Sequence, residues 1–145
     1  MTLAMSWNEW AAHDAVGLAQ RVRRGEVTPA ELAQQAAAGI AATNPTLSAV
    51  VEVFDDVVQD PLKDGLNPQG PLAGVPFLMK DLGLTLKGRL QEMGSLFMKG
   101  NRATADTHLT QRFRQAGLNL MGRTTTPEFG VCSSAENPAV YVTRR

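Results

Sequence analysis

One stretch of this sequence gathers the side chains best suited to chemistry: Lys80-Asp81, directly after the apolar run Val75 to Met79. The run has the length of a buried strand, and strand ends are where α/β sheets place reacting groups. A lysine there can be stripped of water on several sides, and desolvation favours its neutral, basic form. The plain alternative is a surface Lys–Asp pair. Taken alone the stretch favours that alternative, because buried lysines are rare. Asp81 reads as a loop-capping carboxylate.

Other reactive groups are scattered. Ser95 and Ser133-Ser134 lack a surrounding Gly-x-Ser-x-Gly turn and read as loop hydroxyls. Cys132 with His108 or His13 could serve a thiol hydrolase, but a lone cysteine reads more simply as a packing residue. The two histidines lack the paired spacing of a metal site, so neither metal nor cofactor is expected. Glu128 could meet a substrate or steady a loop, and the loop role is preferred.

The elements that must position these groups follow from capping and periodicity. Trp7 and Trp10 form an N-terminal anchor. Asp14 caps a helix with Ala15, Leu18, Ala19 and Val22 inward. Arg21, Arg23 and Arg24 suit its C-terminal dipole, and Gly25 ends it. Thr28-Pro29-Ala30-Glu31 is a strong start signal: a Thr cap, Pro at the first position and Glu three after the cap. Leu32, Ala36 and Ile40 mark the inner face of this second helix, and Asn44-Pro45 should stop it. Ser48 to Phe54 is a β-branched strand, and 55–70 a polar linker. The glycine- and proline-punctuated segment Gly70-Pro71-Leu72-Ala73-Gly74 is a fixed turn before the Lys80 strand. Residues 83–100 form a long loop. Asp106 should cap a third helix with Leu109, Phe113 and Ala116 inward, closed by Gly117. Leu118 to Gly122 is then a strand, and Arg123 to Gly130 a loop at its end. Strand, loop, helix, strand implies a right-handed crossover and a parallel pair, hence an α/β fold.

Composition excludes several classes. With 145 residues and 43% hydrophobic content, one domain with a packed core is expected. Lys+Arg and Asp+Glu are both 14, so no net field favours nucleic acid or an anionic membrane. The small-apolar run Ala36 to Ala42 is too short to span a bilayer. The first ten residues lack a basic segment followed by an apolar one, so no secretory signal is expected. With Cys132 the single cysteine, a reducing cytoplasm is the default location.

Gly70-Pro71-Leu72-Ala73-Gly74-Val75-Pro76 leading to Lys80-Asp81 resembles the lysine motif of the amidase signature family. Gly94-Ser95, the helix end Arg114-Gln115-Ala116-Gly117-Leu118, and Gly122-Arg123-Thr124-Thr125-Thr126-Pro127-Glu128-Phe129-Gly130 extend the resemblance in order. The last is similar to that family's Gly-Lys-Thr-Asn-x-x-Glu-Phe segment. Arg123 and Thr125 stand for the commoner Lys and Asn, mild changes that leave catalytic groups untouched. Tyr141-Val142-Thr143-Arg144 resembles the start of a further family segment, from which Arg145 departs.

The resemblance implies an amide hydrolase with a Ser, cis-Ser, Lys triad. Lys80 matches the family lysine, the catalytic base, and Gly130 lies in a segment whose backbone lines the acyl cavity. It implies an incomplete mixed β-sheet flanked by helices: one amidase domain's N-terminal portion over 1–145, with helices over 1–47 and the start of the α/β core over 48–145. The family serines belong to a Gly-Gly-Ser-Ser-Gly-Gly segment and another loop that do not occur here. The expectation is therefore a truncated, frameshifted or partial amidase, inactive alone. Its partner would be a small-molecule amide, with a homo-oligomer left open. Linear, cyclic dipeptide-like, nitrile-pathway and aryl-acyl amides all remain candidate substrates. A non-catalytic remnant or binding module of α/β type is the alternative.

Overall fold

The computed structural model describes residues 3–137 and 140–142, so Thr143, Arg144 and Arg145 of the last motif lie outside the described residues. Three helices come first: α1 (Trp7–Ala11), α2 (Ala15–Arg23) and α3 (Pro29–Leu47). Their starts are written in side chains. Ser6 and Glu9 form a capping box on α1, Asp14 accepts from the Gly17 N–H on α2, and Thr28 and Glu31 form a second box on α3. Each satisfies backbone donors that would otherwise be orphaned. Trp7 and Trp10 meet edge to face with ring centroids 6.3 Å apart.

The sheet that carries Lys80 has three strands: β1 (Val50–Val53), β2 (Pro76–Lys80) and β3 (Asn119–Thr124), in the order β1-β3-β2. β3 is central, antiparallel to β1 and parallel to β2, with Lys80 opposite Thr124 and Met79 opposite Arg123. The parallel pair expected from element order is present. The connection between its strands contains α5 (His108–Ala116). A hairpin of β4 (Glu136–Asn137) and β5 (Tyr141–Val142) follows. Leu32, Ala33, Val57, Leu120 and Met121 are fully or nearly fully buried in the core. Burial of each large apolar side chain contributes about 1.5–3 kcal/mol.

Four local expectations are corrected. Helix α3 runs through Pro45 to Leu47. The Asn44 side chain stops the chain instead, accepting from the Ala49 and Val50 N–H groups and donating to the Val50 carbonyl. Residues 55–70 are not wholly linker: α4 (Asp55–Gln59) buries Val57 and Val58. Helix α5 is capped by Thr107, not Asp106, whose carboxylate takes the Lys87 N–H and the Arg114 guanidinium. Its inner face is turned by one residue. Leu109 is 50% exposed and Thr110 fully buried, its hydroxyl donating to the Thr85 carbonyl at 2.8 Å beside the Thr107 N–H. Phe113 stays inward, its ring 4.9 Å from that of Phe77.

The long segment 83–100 is ordered by polar contacts. Arg89 lies over the Phe54 ring, 4.4 Å from its centroid, and pairs bidentately with Asp56, with a further bridge to Asp64. The Arg89 hydrogen bonds hold the Asp56 carboxyl below the usual carboxylate range.

The turn before β2 closes the C-terminus of α5. The N–H groups of Asn67, Leu72 and Gly74 donate to the carbonyls of Arg114, Ala116 and Gly117 at 2.8–2.9 Å. Gly117 sits at φ +90°, where a Cβ would come within 2.6 Å of the Ala73 Cα. Gly117→Ala is expected to lower stability by about 2–3 kcal/mol, combining left-handed strain with displaced backbone. Gly25→Ala, at φ +70° with nothing within 4 Å, carries only the conformational cost of about 1 kcal/mol. Denaturant titration of the two variants checks the difference.

Candidate active site

β2 and β3 end side by side at Lys80 and Thr124, and the backbone around Lys80 is held on both sides by Thr124. The Asp81 N–H donates to the Thr124 carbonyl at 3.1 Å, and the Thr124 hydroxyl to the Met79 carbonyl at 3.4 Å. Lys80 itself is exposed, and among the described residues its amine makes no ion pair. The surface Lys–Asp pair that the stretch alone favoured does not form. Successive strand residues point to opposite faces, and Asp81 is drawn inward to 2% exposure.

What draws it is Arg123. This guanidinium, on a side chain 5% exposed, faces three carboxylates: Nε donates to Glu52 at 2.7 Å, Nη2 to Glu92 at 2.8 Å, and Nη1 lies 3.0 Å from Asp81 Oδ1. The Asp81 contact is an ion pair set off the line of a hydrogen bond. The carboxylate also accepts the Glu92 N–H at 3.0 Å, so the loop-capping reading of Asp81 covers one half of its role. Burial disfavours the charge on Arg123, but Glu92, Glu52 and Asp81 outweigh it and raise its pKa above the ordinary arginine value. Burial likewise opposes ionisation of Glu92. The Gly100 N–H and Arg123 reverse that balance and hold its carboxyl below the usual range.

Two loops meet beside this cluster. Ser95 donates its hydroxyl to Glu128 at 2.7 Å and accepts the Phe97 N–H, while the Phe129 N–H donates to the Met93 carbonyl. Ser95 and Glu128 are thus loop-joining groups, as the residue types suggested. Gly130 adopts φ +73°, and a Cβ there would lie 2.6 Å from Leu82 Cδ2. This places Gly130 against the turn that follows Lys80. The Tyr141 hydroxyl accepts the Thr126 N–H and donates to the Thr126 carbonyl, both at 2.7 Å, and burial pushes its phenol up.

Cys132 is exposed, which corrects the packing reading. It lines a small cavity with Glu128, Ser134, Glu136 and Asn137, and neither histidine is among the lining residues. An apolar groove of about 430 Å³ between α1, α3 and β2 contains no ionisable side chain and lies along the start of β2. No cluster of His, Cys, Asp and Glu among the described residues could hold a metal ion.

Residues 31–145 match the amidase family. The chain belongs to it. It is 36% identical over 133 residues to 6-aminohexanoate-cyclic-dimer hydrolase of Paenarthrobacter ureafaciens, covering 90% of this chain and 26% of the relative. A second such hydrolase, from a Pseudomonas species, is 35% identical over 133 residues, covering 90% and 26%. A solved 6-aminohexanoate cyclic dimer hydrolase superposes with TM-score 0.81 at 35% identity, over 91% of this chain and 27% of that one. Native peptide amidase from Stenotrophomonas maltophilia does so with TM-score 0.70 at 32% identity, over 83% and 26%. The chain therefore spans little more than a quarter of these amidase-family relatives' length, and its mixed sheet with helices is part of their α/β fold. Among its described residues no helix is long and apolar enough to cross a membrane.

The residue that sequence reasoning passed over is Arg123, treated as a mild change. Its signal was available: an arginine that continues an apolar strand must find carboxylates if the strand is buried. Glu52, Asp81 and Glu92 could not be assigned to it, because they lie on three separate segments. Arg123→Met leaves these carboxylates without their cation and is expected to lower stability by about 3 kcal/mol. A second expectation concerns acid. Because Glu92 is depressed in the folded chain, the unfolded chain binds its proton first. Its contribution is complete above the unfolded value of about 4.3 and is lost as pH falls through the lower folded value. Glu92→Gln should flatten the acid limb of the stability–pH curve below about pH 4.3 and leave the slope near neutrality unchanged.

Proposed function

We propose that these residues form the lysine-bearing part of an amide hydrolase, with Lys80 as its general base. The observation that carries the reading is the Lys80 amine, without an ion pair among the described residues, at the paired ends of β2 and β3, on a segment that resembles the family's lysine motif. A base must be able to shed its proton, and a carboxylate partner would favour the ammonium form. Here the neighbouring carboxylate is engaged elsewhere.

In the proposed reaction, neutral Lys80 takes a proton from a bridging serine, which takes one from the nucleophilic serine. The nucleophile attacks the amide carbonyl, the tetrahedral intermediate expels the amine, and the relay returns a proton to it. Water then hydrolyses the acyl-enzyme by the same relay. Lys80 moves the proton, and the turn containing Gly130 borders the substrate through its backbone. No Gly-Gly-Ser-Ser-Gly-Gly segment occurs in the sequence, so the serines and oxyanion donors would be supplied by further amidase sequence. These 145 residues alone are expected to show no turnover. The relatives' names, a cyclic-dimer hydrolase and a peptide amidase, favour a small-molecule carboxylic amide as substrate. The exposure of Lys80 is what favours the second reading, a non-catalytic α/β remnant or binding module.

The test joins residues 1–145 to the serine-bearing part of a relative and measures kcat beside thermal melts. Lys80→Met and Lys80→Arg should each lower kcat about a hundredfold or more, the share of a general base, with little change in Tm. Arginine keeps the charge but stays protonated, and Met keeps the bulk without a transferable proton. Near-normal turnover in Lys80→Met would end the triad reading and leave the non-catalytic one.

A further inference from the structure

Taking Lys80 as the base proposed above, we infer that Arg123 is a positioning residue that keeps the Asp81 carboxylate away from the Lys80 amine. Asp81 is the covalent neighbour of Lys80 and the nearest carboxylate in sequence. Left free, it would be the natural ion-pair partner of an exposed lysine at a strand end. Two contacts turn it inward instead, the Arg123 guanidinium at 3.0 Å and the Glu92 N–H at 3.0 Å. The hydrogen bond cannot do this alone, because a buried carboxylate needs a cation to offset its lost hydration. Arg123 is that cation, on a side chain 5% exposed.

The arrangement fits this role in two further ways. Arg123 is itself fixed from two other elements, by Glu52 on β1 and Glu92 on the 83–100 loop, so its fork cannot swing toward solvent. Lys80 and Asp81 are pinned at the backbone by the adjacent residue Thr124. The pleat starts the two side chains on opposite sides, and beyond the last residue of β2 these contacts hold Asp81 on the guanidinium while Lys80 faces water.

The readout is the neutral, accessible fraction of the Lys80 amine, measured without turnover. In the full chain at fixed neutral pH, a trace amine-acylating reagent modifies each lysine at a rate that mass spectrometry resolves. Lys63 and Lys87 serve as internal references. Arg123→Met should lower the Lys80 rate about three- to tenfold, the effect of a newly acquired carboxylate partner on an exposed amine. Adding Asp81→Asn to Arg123→Met should restore the parental rate within about twofold. A role limited to stability would not be rescued in this way. Arg123→Lys, which keeps the cation, should label as the parent does. Asp81→Asn alone leaves Arg123 paired with Glu52 and Glu92, so this variant remains informative if Arg123→Met does not fold. Its Lys80 rate should match the parent, and a rise above about threefold would show that Asp81 already engages Lys80 and overturn the inference. An unchanged Lys80 rate in folded Arg123→Met, or a double variant that stays slow, would overturn it equally. These outcomes do not depend on catalysis. If Lys80→Met spares turnover in the completed enzyme while the labelling pattern holds, the base reading fails and the placement of Asp81 stands.

Discussion

A guanidinium inside a sheet is tolerable only if its charge is answered, and this requirement organises the end of the sheet that carries Lys80. Arg123 sits near the end of the central strand, where neighbours cover it on both sides. Losing water disfavours its charge, and the cost is offset only when good geometry brings carboxylates to the fork. The three that answer it come from β1, from the end of β2 and from the 83–100 loop. One side chain therefore ties four segments of the chain into a single site. The same contacts that compensate the charge decide where Asp81 points and, with it, what surrounds Lys80.

A second constraint works at the other end of the same strands. Helix α5 ends in carbonyls with no intrahelical donor, and the turn at residues 67–74 supplies them. That turn passes so close to the helix end that a glycine is required at position 117. The docking fixes where β2 begins, and the Arg123 cluster fixes how it ends. Between them, five residues of strand carry Lys80 to a defined place, with the Ser95–Glu128 contact closing the loops beside it.

Much of this was legible without coordinates where the determinant is local. The Asp14 cap and the Thr28–Glu31 capping box depend on residues three apart. The parallel pairing of β2 and β3 follows from element order and the handedness of crossovers. The failures have a common form. Apolar periodicity puts Leu109 on the inner face of α5 with Phe113 and Ala116, but Thr110 takes the buried place, its hydroxyl on the carbonyl of Thr85, remote in sequence. Pro45 was read as a stop, but Asn44 could build the turn two residues later by reaching the N–H groups of Ala49 and Val50. Residues 55–70 looked polar along their length, yet Val57 and Val58 had a core to enter.

The same division holds for the site. Residue type and motif order alone determined that Lys80 lies at a strand end, that a glycine-rich turn precedes it, that Ser95 and Glu128 belong to loops, and that the chain is amidase-like. Each of these features belongs to a segment and its immediate neighbours. Only the tertiary structure decided that Asp81 faces inward, that Arg123 holds it there, and that Lys80 is left without a counter-ion among the described residues. Electrostatic partnership is a property of distance in space. Glu52, Asp81, Glu92 and Arg123 acquire their joint meaning when sheet register and loop return bring them within 3.0 Å of one fork.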